Sequence, residues 1–111
     1  MIENLSELQK LATENANKHG WKVHWNREGI IFKNGDLTIG EALALIVSEL
    51  VCEAMEDYRD NNKEHFMEEL ADAVIRILHL SGDINMSLLD AINKKMLKNK
   101  NRPIIHGHEV F

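Results

Sequence analysis

Cysteine is almost absent from this sequence. Cys52 is the one thiol among 111 residues, so no intrachain disulfide is possible and a disulfide framework is excluded. A reducing compartment fits that usage, and the expected location is cytoplasmic. Aromatic side chains are scarce at 5%, which leaves Leu, Ile, Val, Ala and Met to build the core and favours helices over a β-sandwich or barrel. No apolar run approaches the ~20 residues that a membrane span requires. Met1 is followed by Ile2-Glu3-Asn4 rather than by a basic region and an apolar stretch, so no secretory leader is expected. Positive charge is also in deficit. A net charge of −5 argues against a nucleic-acid polymer as partner, because such surfaces need a basic field to displace counterions. It does not exclude a nucleotide, since a bound metal reverses the local sign.

What is present reads as one all-α domain over residues 1–111. The chain is long enough for one domain and little more. Leu5, Leu8, Leu11 and Ala12 recur at helical spacing from Leu5 to about His19, with Gly20 as a natural stop. Residues 20–37 are irregular: Trp21, Val23 and Trp25 alternate, Ile30, Ile31 and Phe32 follow, and Asn34-Gly35-Asp36 signals a turn. A loop pinned by its aromatics is expected here in preference to a hairpin. Thr38 and Glu41 form a capping box that opens a helix running to about Arg59, ended by Asp60-Asn61-Asn62. A third helix is expected from Glu64 to Leu80, stopping at Ser81-Gly82. The fourth starts at Ser87, with Asp90 three residues on, and reaches about Asn101. Pro103 and Gly107 mark residues 103–111 as a non-helical tail. Short connections imply antiparallel neighbours. Four helices this short bury a thin core alone, so the bundle is expected to be completed by homo-oligomerisation.

The chemistry lies in the middle helices, over residues 38–102. Glu49, Glu53 and Glu56 stand at i, i+4 and i+7, which at ~100° per residue puts them on one narrow face. Glu69 and Asp72 share a face of the next helix, and two antiparallel helices can point the sets at each other. Charge runs on helices are usually solvated faces. Glu49 and Glu53, however, are embedded in the apolar stretch 45–52 and its edge, and Glu69 and Asp72 are followed by the apolar 73–78, where like charges repel strongly once desolvated. Acids in that position need a cation. Three residues before the six histidines stand Ala16, Trp21, Asn62, Arg76, Pro103 and Ile105, so the Glu-x-x-His pairs of a di-iron bundle are missing. Neither a His-Glu-x-x-His motif nor a cysteine pair offers a zinc site. Mg²⁺, or Mn²⁺, bound by carboxylate oxygens is left, and with it metal-assisted phosphate chemistry.

The last helix ends in a basic, amide-rich stretch. Part of this is favourable charge at a helix C-terminus, but Lys95, Asn99 and Arg102 also fall at i, i+4 and i+7, a face suited to phosphate and sugar oxygens. Trp21 and Trp25 are candidates either for stacking on a base or for anchoring their loop. His79, on an apolar side of its helix, reads as a core or interface residue rather than a ligand.

Three segments together resemble the MazG-like nucleotide pyrophosphohydrolases of the all-α NTP pyrophosphatase superfamily. They are Ala42 to Arg59 with its spaced glutamates, Glu68-Glu-Leu-Ala-Asp72, and Lys95-Met-Leu-Lys-Asn-Lys-Asn-Arg-Pro103, and the likeness covers residues 38–107. The resemblance implies a helical bundle, a homodimer or homotetramer, Mg²⁺, and hydrolysis of a nucleoside triphosphate to the monophosphate and pyrophosphate. Glu69 and Asp72 match the family's second acidic pair, and Lys95 and Asn99 its lysine and asparagine one turn apart. The first motif departs from the usual Glu-x-x-Glu, because Glu49 and Glu53 enclose three residues. Either both bind at i+4, or a one-residue π-bulge restores the spacing, or Glu53 and Glu56 form the pair; Glu49 plus Glu53, with Glu56 nearby, is favoured. The expected site therefore has Glu49, Glu53, Glu69 and Asp72 holding metal, Glu56 positioning water, and Lys95, Asn99 and Arg102 gripping substrate. Two rivals make different predictions. A non-enzymatic helical interaction dimer would release no pyrophosphate, and a dUTP/dUDP-type diphosphatase would also accept diphosphates.

Overall fold

The computed structural model describes residues 4–25, 32 and 34–102. Ile30, Ile31 and the tail 103–111, with Pro103, His106, Gly107 and His108, lie outside the described residues. Among those described, the chain forms four helices and one minimal strand pair. Helix α1 is Leu5–Lys18, started by the Asn4 side chain, which accepts from Glu7 N at 2.8 Å. Helix α2 covers residues 39–59 in three continuous segments: α-helical Ile39–Val47, π-helical Ser48–Ala54 and α-helical Met55–Arg59. Its capping box is formed, with Thr38 Oγ1 accepting from Glu41 N and Glu41 Oε1 accepting from Thr38 N, both at 3.1 Å. Helix α3 is Lys63–Asp83, capped by Asn62, and α4 is Leu88–Lys100, capped by Ser87.

Three helix ends close in the same way. After α1, Gly20 takes a left-handed φ of 85°, its N–H donates to Asn17 O, and Trp21 N–H donates back to Ala16 O at 3.0 Å. After α2 the left-handed residue is Asn61, and Asn62 N–H reaches Asp57 O at 2.8 Å. After α3 it is Asn85, and Met86 N–H reaches Ser81 O at 3.1 Å. These paired bonds are Schellman motifs, which satisfy carbonyls that a helix end would otherwise orphan.

The sequence-based boundary at Ser81-Gly82 is therefore corrected. The helix runs through Gly82, and Asn85 ends the element. Gly82 serves packing instead: a Cβ there would run into Thr13 Oγ1 of α1 and lie 3.0 Å from Thr13 Cβ. Glycine lets α1 and α3 approach closely at this point. The irregular stretch also differs from both sequence-based readings. Val23–His24 pairs with Leu37–Thr38 in a parallel two-residue bridge, and the buried Val23, rather than either tryptophan, anchors it. Val23 N–H donates to Asp83 Oδ2 at 2.6 Å, which ties the bridge to the end of α3.

Helix α3 is the centre of the molecule, packed against α1, all three segments of α2 and the bridge. Its start adjoins the end of α2 across residues 60–62, while Arg76, further along, meets Glu49, so the two helices run antiparallel. Buried Ala42, Ala54 and Ala73 keep the helices close, and Ile46, Leu78 and Val23 complete a small core. Gln9 is buried in α1 and acts as a polar clasp: its Nε2 donates to Ser81 Oγ and Met86 O, and its Oε1 accepts from Leu88 N. No helix among the described residues is long and apolar enough to cross a membrane.

Candidate metal centre

Glu49 and Glu53 lie on the π-helical segment and share a face there, as i and i+4 also do in an α-helix. A π turn closes i→i+5 instead of i→i+4 and so holds one residue more than an α turn. A four-residue step then comes round nearly a full turn, as three or four residues do in an α-helix. The structure has a π segment at Ser48–Ala54, and Glu49 and Glu53 on it meet Glu69 of α3. One carboxylate oxygen from each lies within 4.8 Å of the other two.

The three differ in environment. Glu49 is buried, Glu69 is half-buried and Glu53 is exposed. Arg76, on α3, donates from Nε and Nη2 to Glu49 Oε1 at 3.3 and 3.2 Å. Glu49 Oε2 is buried and, among the described residues, accepts from no fixed N–H or O–H donor, so only a shared carboxyl proton reaches it. Among the described residues, three carboxylates face one guanidinium, which leaves the cluster two positive charges short, the charge of one divalent cation. Protonation registers that shortage. The Glu69 carboxyl is pushed up from 4.5 to about 7 by hydrogen bonding to Glu49 and then Glu53, with lost hydration and repulsion from both adding to it. For Glu49, burial pulls upward, but hydrogen bonds with Glu69, Glu53 and Arg76, and the Arg76 charge, outweigh it and hold the group below its ordinary value. The cluster thus favours a proton on Glu69, which relieves the crowding of three carboxylates.

The donor set fits a hard ion. All three groups are carboxylates, rigid helices carry them, and Arg76 fixes one of them from behind, as outer-shell partners do at metal sites. The group could hold a metal, and nothing in it selects one ion over another by geometry.

Other expected site residues lie apart from this group. Glu56 is exposed on the last segment of α2 and is not among the three. Asp72, one turn beyond Glu69, is exposed and also outside the group. It lines a cleft of about 210 Å³ between α1 and α3 together with Arg76 and His79. Lys95 and Arg102 are exposed and Asn99 is buried, and among the described elements α4 packs on α1 and α3 and its backbone does not adjoin the π segment of its own chain. His79 is buried with Nε2 2.6 Å from Asp83 Oδ2 and takes no part in the cluster. Sequence reasoning passed over Arg76. Its signal was a lone cation, four residues after Asp72, inside an otherwise apolar run.

Compared with protein-family models, with curated proteins and with solved structures, the chain has no match in any of the three.

Proposed function

We propose that this chain is a Mg²⁺-dependent nucleoside triphosphate pyrophosphohydrolase that works as a homo-oligomer. The observation that supports this most is the three-glutamate group of Glu49, Glu53 and Glu69, with the buried Oε2 of Glu49, which no fixed donor among the described residues reaches. The MazG-like motif pattern over residues 38–107 adds the substrate class. Glu49, Glu53 and Glu69 would hold the ion, with Asp72 one turn away as a further oxygen donor. When bound, Mg²⁺ supplies charge neutralisation on the phosphate oxygens and acidifies water at the site. The protein's own contributions are positional. Arg76 holds Glu49 ionised and fixed, and Glu56 faces solvent where it can orient a water for attack on the α-phosphorus. Lys95, Asn99 and Arg102 would grip phosphate and sugar from a second copy, since the α4 backbone does not adjoin the π segment of its own chain.

A pyrophosphate-release screen over ordinary and modified NTPs and dNTPs in Mg²⁺ tests the reading. At least one triphosphate should yield pyrophosphate, and Glu69→Gln should lower the rate by more than the ~10- to 100-fold typical of an outer-shell change. Release of orthophosphate, release of nothing, or full activity in Glu69→Gln would refute it.

A further inference from the structure

The cleft between α1 and α3 shares a wall with the carboxylate group. Arg76 donates to Glu49 and also lines the cleft, facing Ala12, Asn15, Trp21 and His79. Its volume of about 210 Å³ falls below the ~300–1,000 Å³ of pockets that enclose a whole drug-sized ligand, so it suits one ring system and not an entire nucleotide. Its composition suits a flat ring too. Trp21 offers an indole that is 54% exposed, and the guanidinium of Arg76 is a planar stacking surface. Asn15 offers an amide with both donor and acceptor.

The fold builds this cleft by local rules. Gly20, in its left-handed conformation, turns the chain back, and the bond from the Trp21 backbone N–H to Ala16 O holds the Trp21 backbone beside the end of α1, where Trp21 lines the cleft. Ala12 and Ala16 stand one turn apart on α1 and both line the cleft, so the small side chains that keep it open belong to one helix face.

We propose that this cleft is the subsite for the heteroaromatic ring of a nucleotide whose phosphate end lies at the carboxylate group, with Trp21 as its stacking surface. That the ligand is a nucleotide rests on the function proposed above; the subsite itself is testable by binding alone. Trp25→Phe leaves Trp21 as the sole tryptophan. In that chain, with Mg²⁺, nucleoside 5′-monophosphates should quench Trp21 fluorescence saturably, and ribose 5-phosphate, which lacks the ring, should not. Ala12→Leu and Ala16→Leu each fill the cleft and should weaken the quench at least tenfold, with unchanged circular dichroism. Two separate substitutions guard against one misfolding. Equal effects of ribose 5-phosphate and the nucleotides, no quench by either, or filled-cleft variants that bind as well as the parent would overturn the subsite. The two readings fail separately. A chain that releases no pyrophosphate but shows ring-dependent quenching keeps the subsite and loses the hydrolase, and hydrolysis without the quench does the reverse.

Discussion

Ionising Glu69 places a third negative charge within 4.8 Å of two others, and among the described residues the one guanidinium bonded to the trio is already spent on Glu49. The folded chain therefore binds the Glu69 proton more tightly than the unfolded chain does, with a pKa of about 7 against 4.5. By linkage, its stabilising contribution is complete below pH 4.5 and is lost as pH rises through 7. Glu49 has the opposite sign. Its pKa is lowered, so its contribution is present at neutral pH and lost on acidification below its ordinary value. In EDTA, Tm should fall between pH 5.5 and pH 8. A divalent ion held there would replace the Glu69 proton, so Mn²⁺ or Mg²⁺ should restore Tm at pH 8 and do little at pH 5.5. At about 100 times Kd the gain is about 2.7 kcal/mol, on the order of 10 °C for a domain of this size. Glu69→Gln should abolish both the pH slope and the metal response, and thermal melts at the two pH values measure this. An ion-independent Tm at pH 8 would contradict the site. Glu49 and Glu53 could be read from sequence because their periodicity within an apolar run is a local property. Arg76 could not, because its pairing depends on which turn of α3 faces which turn of α2.

At the scale of elements, helix starts were legible and one helix end was not. Thr38 caps α2 and Ser87 caps α4 through bonds within three residues, and such signals lie in the local sequence. The two-residue parallel bridge joins residues 14 apart and has no such signal. The glycine at 82 carries a long-range meaning, contact with Thr13, that looks locally like a stop. Gly82→Ala tests this. Alanine in a helix interior gains about 0.5–1 kcal/mol over glycine, whereas forcing a methyl into a packed contact costs about 1–3 kcal/mol. The clash should win, and denaturant unfolding should show a net loss. Adding Thr13→Ala removes the obstructing hydroxyl and methyl, so the double variant should recover part of that loss. Coupling of about 0.5–3 kcal/mol is expected for residues in contact. Simple additivity would mean the two helices do not touch there. The π segment belongs to this scale too: nothing in the local sequence marks where Ser48–Ala54 widens from an α turn to a π turn.

The whole molecule leaves much apolar surface uncovered. Leu43, Val47, Val51, Met55 and Tyr58 follow one another along α2, all exposed, and Met67 and Val74 are exposed on α3. Contiguous apolar stripes of this kind mark interaction surfaces more often than solvent faces. The same scale poses a second problem, because α4 carries Lys95 and Arg102 yet its backbone does not adjoin the carboxylate segment of its own chain. One arrangement answers both. In the homo-oligomer proposed above, a second copy would cover the stripe and bring its basic helix to the first copy's glutamates. Val51→Glu should then shift sedimentation toward monomer, and wild type should remain oligomeric at micromolar concentration. Complementation tests the shared site directly. Glu69→Gln leaves the basic helix intact, and Lys95→Ala with Arg102→Ala leaves the acids intact, so each homo-oligomer should be inactive alone. Co-expressed at equal levels as dimers, half of the assemblies pair one of each, and each of those holds one complete site in two. Pyrophosphate release should return to about a quarter of the wild-type rate. If every site were built within a single chain, no pairing could assemble a complete one, and the mixture would stay as inactive as its parents.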